Sequence, residues 1–134
     1  MKKYLFTDES FRRDTGLLLL RVSAGAIMLL AHGWPKLLRA LGENPSFFSL
    51  AGLGPELSLW LAIFAEVGCS LLLIFGFFTR PALLPLIFTM GVAAFVAHAG
   101  DPWGRKEAAV VFLLIYAALF FTGPGRFSAD AQRR

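Results

Sequence analysis

Apolar residues gather into four blocks along the chain, at about 16–37, 57–78, 81–99 and 106–122, separated by short polar or Gly/Pro-rich stretches. Each block approaches the ~20 residues that a helix needs to cross a hydrocarbon core of roughly 30 Å, at about 1.5 Å per residue. In lipid, backbone polar groups must pair within their own segment, and no block shows the roughly ten-residue alternation of a barrel strand. The pattern therefore predicts an all-α fold, an integral membrane four-helix bundle with antiparallel up-down-up-down order, formed by one domain spanning 1–134. The fourth block is the shortest and carries a charged lead-in at Arg105 or Lys106, whose long side chains can snorkel out of a helix end.

The punctuation agrees. Gly-Glu-Asn-Pro at 42–45 and Gly-Leu-Gly-Pro at 52–55 break the first connection, and Phe47, Phe48 and Leu50 between them make a stretch expected to dip into the membrane interface as a short helix. Thr79, Arg80 and Pro81 form a turn so short that blocks two and three must be antiparallel neighbours. Residues 100–104 make the third turn, and Gly123, Pro124 and Gly125 stop the fourth helix. Lys2 and Lys3 ahead of an apolar run imitate a signal peptide. Against that, the run begins only at Gly16, carries Arg21 and exceeds the usual ~7–15 residue core of such a sequence.

Composition narrows the function. With 57% hydrophobic and 16% charged residues and a mean hydropathy of +0.65, the chain is not a soluble enzyme. Its 134 residues are too few for separate cofactor and substrate domains. A pI near 9.7 raises the question of nucleic acid, but the basic residues lie scattered between apolar blocks and form no basic face, so no nucleic-acid partner is expected. Sorting them by side explains the charge. The N-terminal tail, second turn and C-terminal tail hold Lys2, Lys3, Arg12, Arg13, Arg80, Arg126, Arg133 and Arg134, whereas the other side holds Lys36, Arg39, Arg105 and Lys106. Eight against four places both termini in the cytoplasm. Trp34, Trp60 and Trp103 all fall at block ends on the opposite side, where an indole suits the headgroup zone. Cys69 is the single cysteine, which excludes an intramolecular disulfide, a CxxC pair and a cysteine-only metal site.

An ionisable side chain inside a spanning helix costs roughly 2.5–3.5 kcal/mol or more, so each one is a candidate site. Arg21, Gly25, Met28, His32 and Lys36 share one face of the first helix, which must look into the bundle. Glu66 lies about 13 Å deep in the second helix, near the midplane, on a stripe with the small residues Ala62, Cys69 and Ser70. His98 stands near the outer end of the third helix, and Glu107 is expected to open the fourth, beside the positive end of its dipole. Depth counting puts His32 about 7 Å below the outer surface. His32, Lys36, His98, Asp101 and Glu107 are then expected around an outward-facing pocket with Glu66 as its floor, in ligand-binding or proton-relay roles. Arg21 either pairs upward with Glu66 or snorkels to the inner interface. Lys36 and Glu107 also suit plain interfacial anchors, His98 a loop carbonyl, and Cys69 simple packing.

Leu20-Arg21-Val22, Ala31-His32-Gly33-Trp34-Pro35-Lys36, the mid-helix Glu66 and Gly76-Phe77-Phe78-Thr79-Arg80 resemble the DoxX family of small bacterial and archaeal membrane proteins. His98, Glu107 and Gly123-Pro124-Gly125-Arg126-Phe127-Ser128-Ala129-Asp130 are similar too, so the likeness covers about 17–130. It implies a four-helix integral protein of the cytoplasmic (inner) membrane. It also implies a link to respiratory or sulfur redox chemistry, because the family's namesake is a subunit of a thiosulfate:quinone oxidoreductase and other members associate with thiol-redox proteins. The positions carried over are Arg21, His32, Gly33, Lys36, Glu66, Arg80, His98 and Glu107.

Three functions compete. In the first, the chain is a redox-associated subunit that binds a quinone, with His32 and Lys36 donating to its carbonyls, Glu66 relaying protons and a soluble or membrane redox partner completing the reaction. The second is haem bound between His32 and His98, disfavoured by their unequal depths. The third is a non-catalytic partner, assembly factor or transport module, and the chain leaves homo-oligomerisation open. No nucleophile motif, phosphate loop or HExxH-type metal spacing is present, so no metal is expected.

Overall fold

A computed structural model describes residues 2–43 and 46–133, with side chains from residue 9 onward. Among these residues there is no strand. Helix α1 runs Lys2–Ile27, loosens into a π-turn at Met28–Gly33 and continues as Trp34–Ala40. Helix α2 has the same build, with Pro55–Ile63, a π-turn at Phe64–Cys69 and then Ser70–Phe75. Helix α3 runs Thr79–Val92 and ends in a π-turn at Ala93–Ala97, α4 spans Trp103–Thr122, and α5 is the short Ala129–Gln132.

These boundaries move several expected ends, each for a local reason. Helix α1 starts at Lys2, far ahead of the first apolar block, since helical backbone continues through the polar residues that precede the membrane segment. Pro55 occupies the first helical position of α2, where its missing amide costs nothing. Gly76, in the left-handed region at φ 68°, ends α2 before Phe77 and Phe78. Helix α4 begins at Trp103 behind Pro102, so Glu107 does not open it but stands in its second turn. The expected interfacial helix is absent from 46–54, where Ala51, Gly52 and Gly54 have positive φ and break the chain into turns. Asn44 and Pro45 of that connection lie outside the described residues, as do the side chains of Lys2 and Lys3 and all of Arg134.

The π-turns have identifiable neighbours. Pro35 follows the first, and its ring removes the amide that would bond one turn back. Pro85 sits inside α3, where the Thr89 hydroxyl donates to its carbonyl at 2.7 Å. The first two π-turns pack against each other. Gly33 permits this, because a Cβ there would stand 2.8 Å from the Glu66 carbonyl oxygen.

The surface carries large apolar side chains, and the mainly apolar core encloses a few polar groups. Leu19, Phe64, Phe75, Phe95 and Phe121 are 61–81% exposed, while Arg21, Glu66, Ser70 and Thr79 are buried among Met28, Leu73, Leu86 and Leu119. Such a surface suits lipid rather than water. Among the described residues, three helices are long and apolar enough to cross a membrane: Glu9–Ala40, Pro55–Phe75 and Thr79–Ala97, with mean hydropathies of 1.6, 2.1 and 1.7. Helix α4 falls short of the same measure because Arg105, Lys106 and Glu107 lie in its first turns, leaving an apolar stretch over 108–121 of only about 21 Å. It packs along α3 and touches α1.

Candidate functional site

Lys36 and Glu66 meet where α1 and α2 come closest. The Lys36 ammonium lies 2.7 Å from Glu66 Oε2 and donates to Oε1 at 3.0 Å. Glu66 is 3% exposed and Lys36 20%, so the pair is shielded from solvent. Local structure sets this contact: Gly33 brings the α1 backbone onto the Glu66 peptide, and Lys36, one turn on, then reaches across.

This pair forms part of the wall of a cavity of about 640 Å³ between the end of α1, the 46–54 connection, α2 and α3. Arg39, Ser58, Thr89 and His98 supply its other polar lining, and the rings of Phe47, Phe48, Phe64 and Phe88 dominate the rest. The connection is pinned over it. Leu50 N–H donates to Ser58 Oγ at 2.8 Å, the Ser58 hydroxyl donates to the Gly54 carbonyl at 2.7 Å, and Gly54 N–H donates to Ser49 Oγ at 3.0 Å. An apolar cavity with a few convergent polar groups is the usual form of a small-molecule site.

The remaining expected residues divide. His98 lines the cavity and bonds through Nδ1 to the Asp101 carboxylate at 2.7 Å. That bond, aided by the charges of His98, Arg105 and Lys106, holds the Asp101 carboxyl below the usual range despite its partial desolvation. His32 does not line the cavity; its ring stands edge-on to Phe112 of α4 at 5.8 Å, within electrostatic reach of both Lys36 and Glu66. Glu107 is exposed outside the lining. Arg21 belongs to the opposite end. Its guanidinium donates to the carbonyls of Pro124 at 3.1 Å and Phe127 at 2.8 Å, and packs against Gly76. The upward pairing with Glu66 is thus replaced by a clasp on the C-terminal segment, whose free carbonyls offer a nearer partner.

Two buried hydroxyls on α2 and α4 add to these residues. Tyr116 of α4 is fully buried, its hydroxyl has no hydrogen-bond partner, and it lies within electrostatic reach of Glu66. Ser70, one turn beyond Glu66, is equally buried and unpartnered. A tyrosine in the middle of an otherwise apolar block was the available signal for the first; Ser70 passed for a small packing residue. No group of three or more His, Cys, Asp or Glu able to hold a metal occurs among the described residues.

The DoxX family profile matches residues 16–99, which include Arg21, His32, Lys36, Glu66 and His98. The chain belongs to the DoxX family. Two relatives from Escherichia coli K12 support the assignment. The inner membrane protein YphA is 33% identical over 145 aligned positions, covering 98% of this chain and all of YphA. The inner membrane protein YqjF is 31% identical over 122, covering 87% of this chain and 91% of YqjF. No solved structure matches. As a DoxX-family membrane protein, the chain places the buried ion pair Lys36–Glu66 inside the matched region.

Proposed function

We propose that this DoxX-family protein is a redox-associated subunit of the inner membrane that binds a quinone or similar lipophilic small molecule in the cavity walled by Lys36 and Glu66. The observation that carries the reading is a buried ion pair facing an apolar, ring-lined cavity. Such a pair is poor as a stabiliser, since desolvation offsets most of its attraction, whereas an ammonium held at a cavity wall is a ready donor to a ligand carbonyl. Phe47, Phe48, Phe64 and Phe88 offer faces and edges for a planar ring. When Lys36 turns to the ligand, Glu66 becomes the group that takes up or releases the accompanying proton. His98, held by Asp101, lines the same cavity and offers a further polar contact. Haem has less support: His98 lines the cavity and His32 stands against Phe112 instead.

In this reading α4 completes a four-helix up-down bundle, with Arg105 and Lys106 snorkelling to the interface. Both termini lie in the cytoplasm, following the distribution of basic residues. The inner-membrane location is supported by the names of the two relatives. A soluble or membrane redox partner would exchange electrons with the bound quinone.

The test is organic extraction of protein purified from native membranes, followed by mass spectrometry. Quinone bound near one per chain, and depleted in Lys36→Met, is expected. Wild-type protein without quinone, co-purifying instead with a stoichiometric enzyme, would favour a non-catalytic partner or assembly role; a different small molecule would favour a binding and transport module.

A further inference from the structure

Two sequence motifs take no part in the cavity: Gly76-Phe77-Phe78-Thr79-Arg80 and the C-terminal Gly123-Pro124-Gly125-Arg126-Phe127-Ser128-Ala129-Asp130. They meet at the other end of the molecule. The Asp130 carboxylate accepts from Phe78 N–H and Thr79 N–H, both at 2.9 Å, so it caps the start of α3 from 51 residues away. Asp130 N–H donates to the Gly76 carbonyl at 2.9 Å. Arg80 Nε donates to the Phe120 carbonyl at 3.0 Å, closing the end of α4. Between them lies a second cavity of about 320 Å³, lined by Phe78, Thr79, Arg80, Pro124, Asp130 and Arg133, with Pro81 beside them.

We infer that this cavity holds the phosphate headgroup of an anionic phospholipid, between the guanidiniums of Arg80 and Arg133. Its charge has the right sign. It holds two cations and one anion, and both oxygens of that anion are already engaged by the backbone amides of Phe78 and Thr79. Arg133 is held by stacking, its guanidinium 5.0 and 5.1 Å from the ring centroids of Phe77 and Phe78, a contact that leaves its N–H groups able to donate. Arg133 can meet phosphate oxygens with paired donors, while Arg80, whose Nε and Nη2 hold the Phe120 and Phe121 carbonyls, adds its charge and the donors of Nη1.

Position singles out the lipid over a soluble anion. The apolar spans stop at Phe75 and resume at Thr79, so the cavity lies at the membrane border. Exposed apolar residues lead from it into the hydrocarbon: Phe78 beside it, Leu84 one turn beyond Arg80 on the same face, and Phe121 next to the carbonyl that Arg80 holds. Acyl chains have a surface to follow. A basic pocket at the end of membrane helices is the general form of an anionic-lipid site.

The experiment reconstitutes the full chain in vesicles of mixed phosphatidylglycerol and phosphatidylcholine, re-extracts it in mild detergent and counts retained lipids by mass spectrometry. Wild type should retain phosphatidylglycerol in excess of its bulk share, and Arg133→Gln should lower that excess by about fivefold, the effect of one basic side chain near an anionic surface. Arg105→Gln, at the other end and outside both cavities, should leave it unchanged, and ~10 mM inorganic phosphate, which screens weakly, should not displace the lipid. Arg80→Gln also removes the α4 cap, so Arg133→Gln carries the test. No enrichment in wild type, full enrichment in Arg133→Gln, or displacement by inorganic phosphate would overturn the inference. None of these outcomes depends on whether the larger cavity binds a quinone.

Discussion

Replacing Lys36 by Met would leave the Glu66 carboxylate buried with no counter-charge. Breaking a buried pair from one side costs about 3–5 kcal/mol, whereas replacing both partners by apolar groups is often neutral. Lys36→Met should therefore lower stability by about that much in a detergent unfolding titration, and Lys36→Met with Glu66→Met should recover most of it. A double variant as unstable as the single one would mean that the pair is held for stability and not for a ligand. Gly33 is the second sensitive position. A methyl there would meet the Glu66 carbonyl oxygen at 2.8 Å and its carbonyl carbon at 2.9 Å, and backbone yields less readily than a side chain. Gly33→Ala should cost about 1–3 kcal/mol and push α1 from α2, weakening ligand binding along with the fold.

At the scale of elements, the π-turns and caps explain what the sequence concealed. Block lengths and Gly/Pro punctuation located four long helices to within a few residues at several ends, because membrane burial and glycine stops act locally. The π-turns were not legible. The first two face each other where Gly33 meets the Glu66 peptide, a fit that depends on neighbours distant in sequence. Helical spacing put Lys36 and Arg21 on one face, but spacing within one helix does not say which partner each finds. Glu66 took Lys36, and the C-terminal carbonyls took Arg21. Asp130 shows the same dependence on tertiary contact and gives a pH prediction. Burial tends to raise its carboxyl. The amides of Thr79 and Phe78 and the charge of Arg133 outweigh this and hold it below the usual carboxylate range. A depressed folded-state value contributes stability above about 3.9, the unfolded value, and that contribution disappears as pH falls through the lower folded-state value. The C-terminal segment should thus become more protease-sensitive below about pH 4, and Asp130→Asn should be sensitive already at pH 7 with little further change on acidification. An Asp130→Asn protein as resistant as wild type at neutral pH would remove the carboxylate from the clasp.

For the whole molecule, large apolar side chains cover the surface and a mainly apolar core holds a few buried polar groups, with the ring-lined cavity at one end and the arginine-lined cavity at the other. A lipid-facing exterior requires the scarce charged side chains to serve as anchors, caps or ligands. The proposed topology puts the C-terminal tail and the α2–α3 turn on the cytoplasmic side. In a Cys69→Ser background, a cysteine introduced near Gln132 should be protected from an impermeant thiol reagent in intact cells, and one at Ser49 should react. Equal labelling of both would contradict four crossings. The central claim is that the Lys36–Glu66 cavity takes a lipophilic ligand through a carbonyl-type head. Its most direct measurement is an equilibrium titration of a short-chain quinone into purified wild type and the stably folded Lys36→Met with Glu66→Met double variant. Saturable binding is expected in wild type at a stoichiometry near one, weakened at least about tenfold in the variant, the equivalent of one lost charge-assisted contact. Equal affinity in both proteins, or no saturable binding in either, would contradict it.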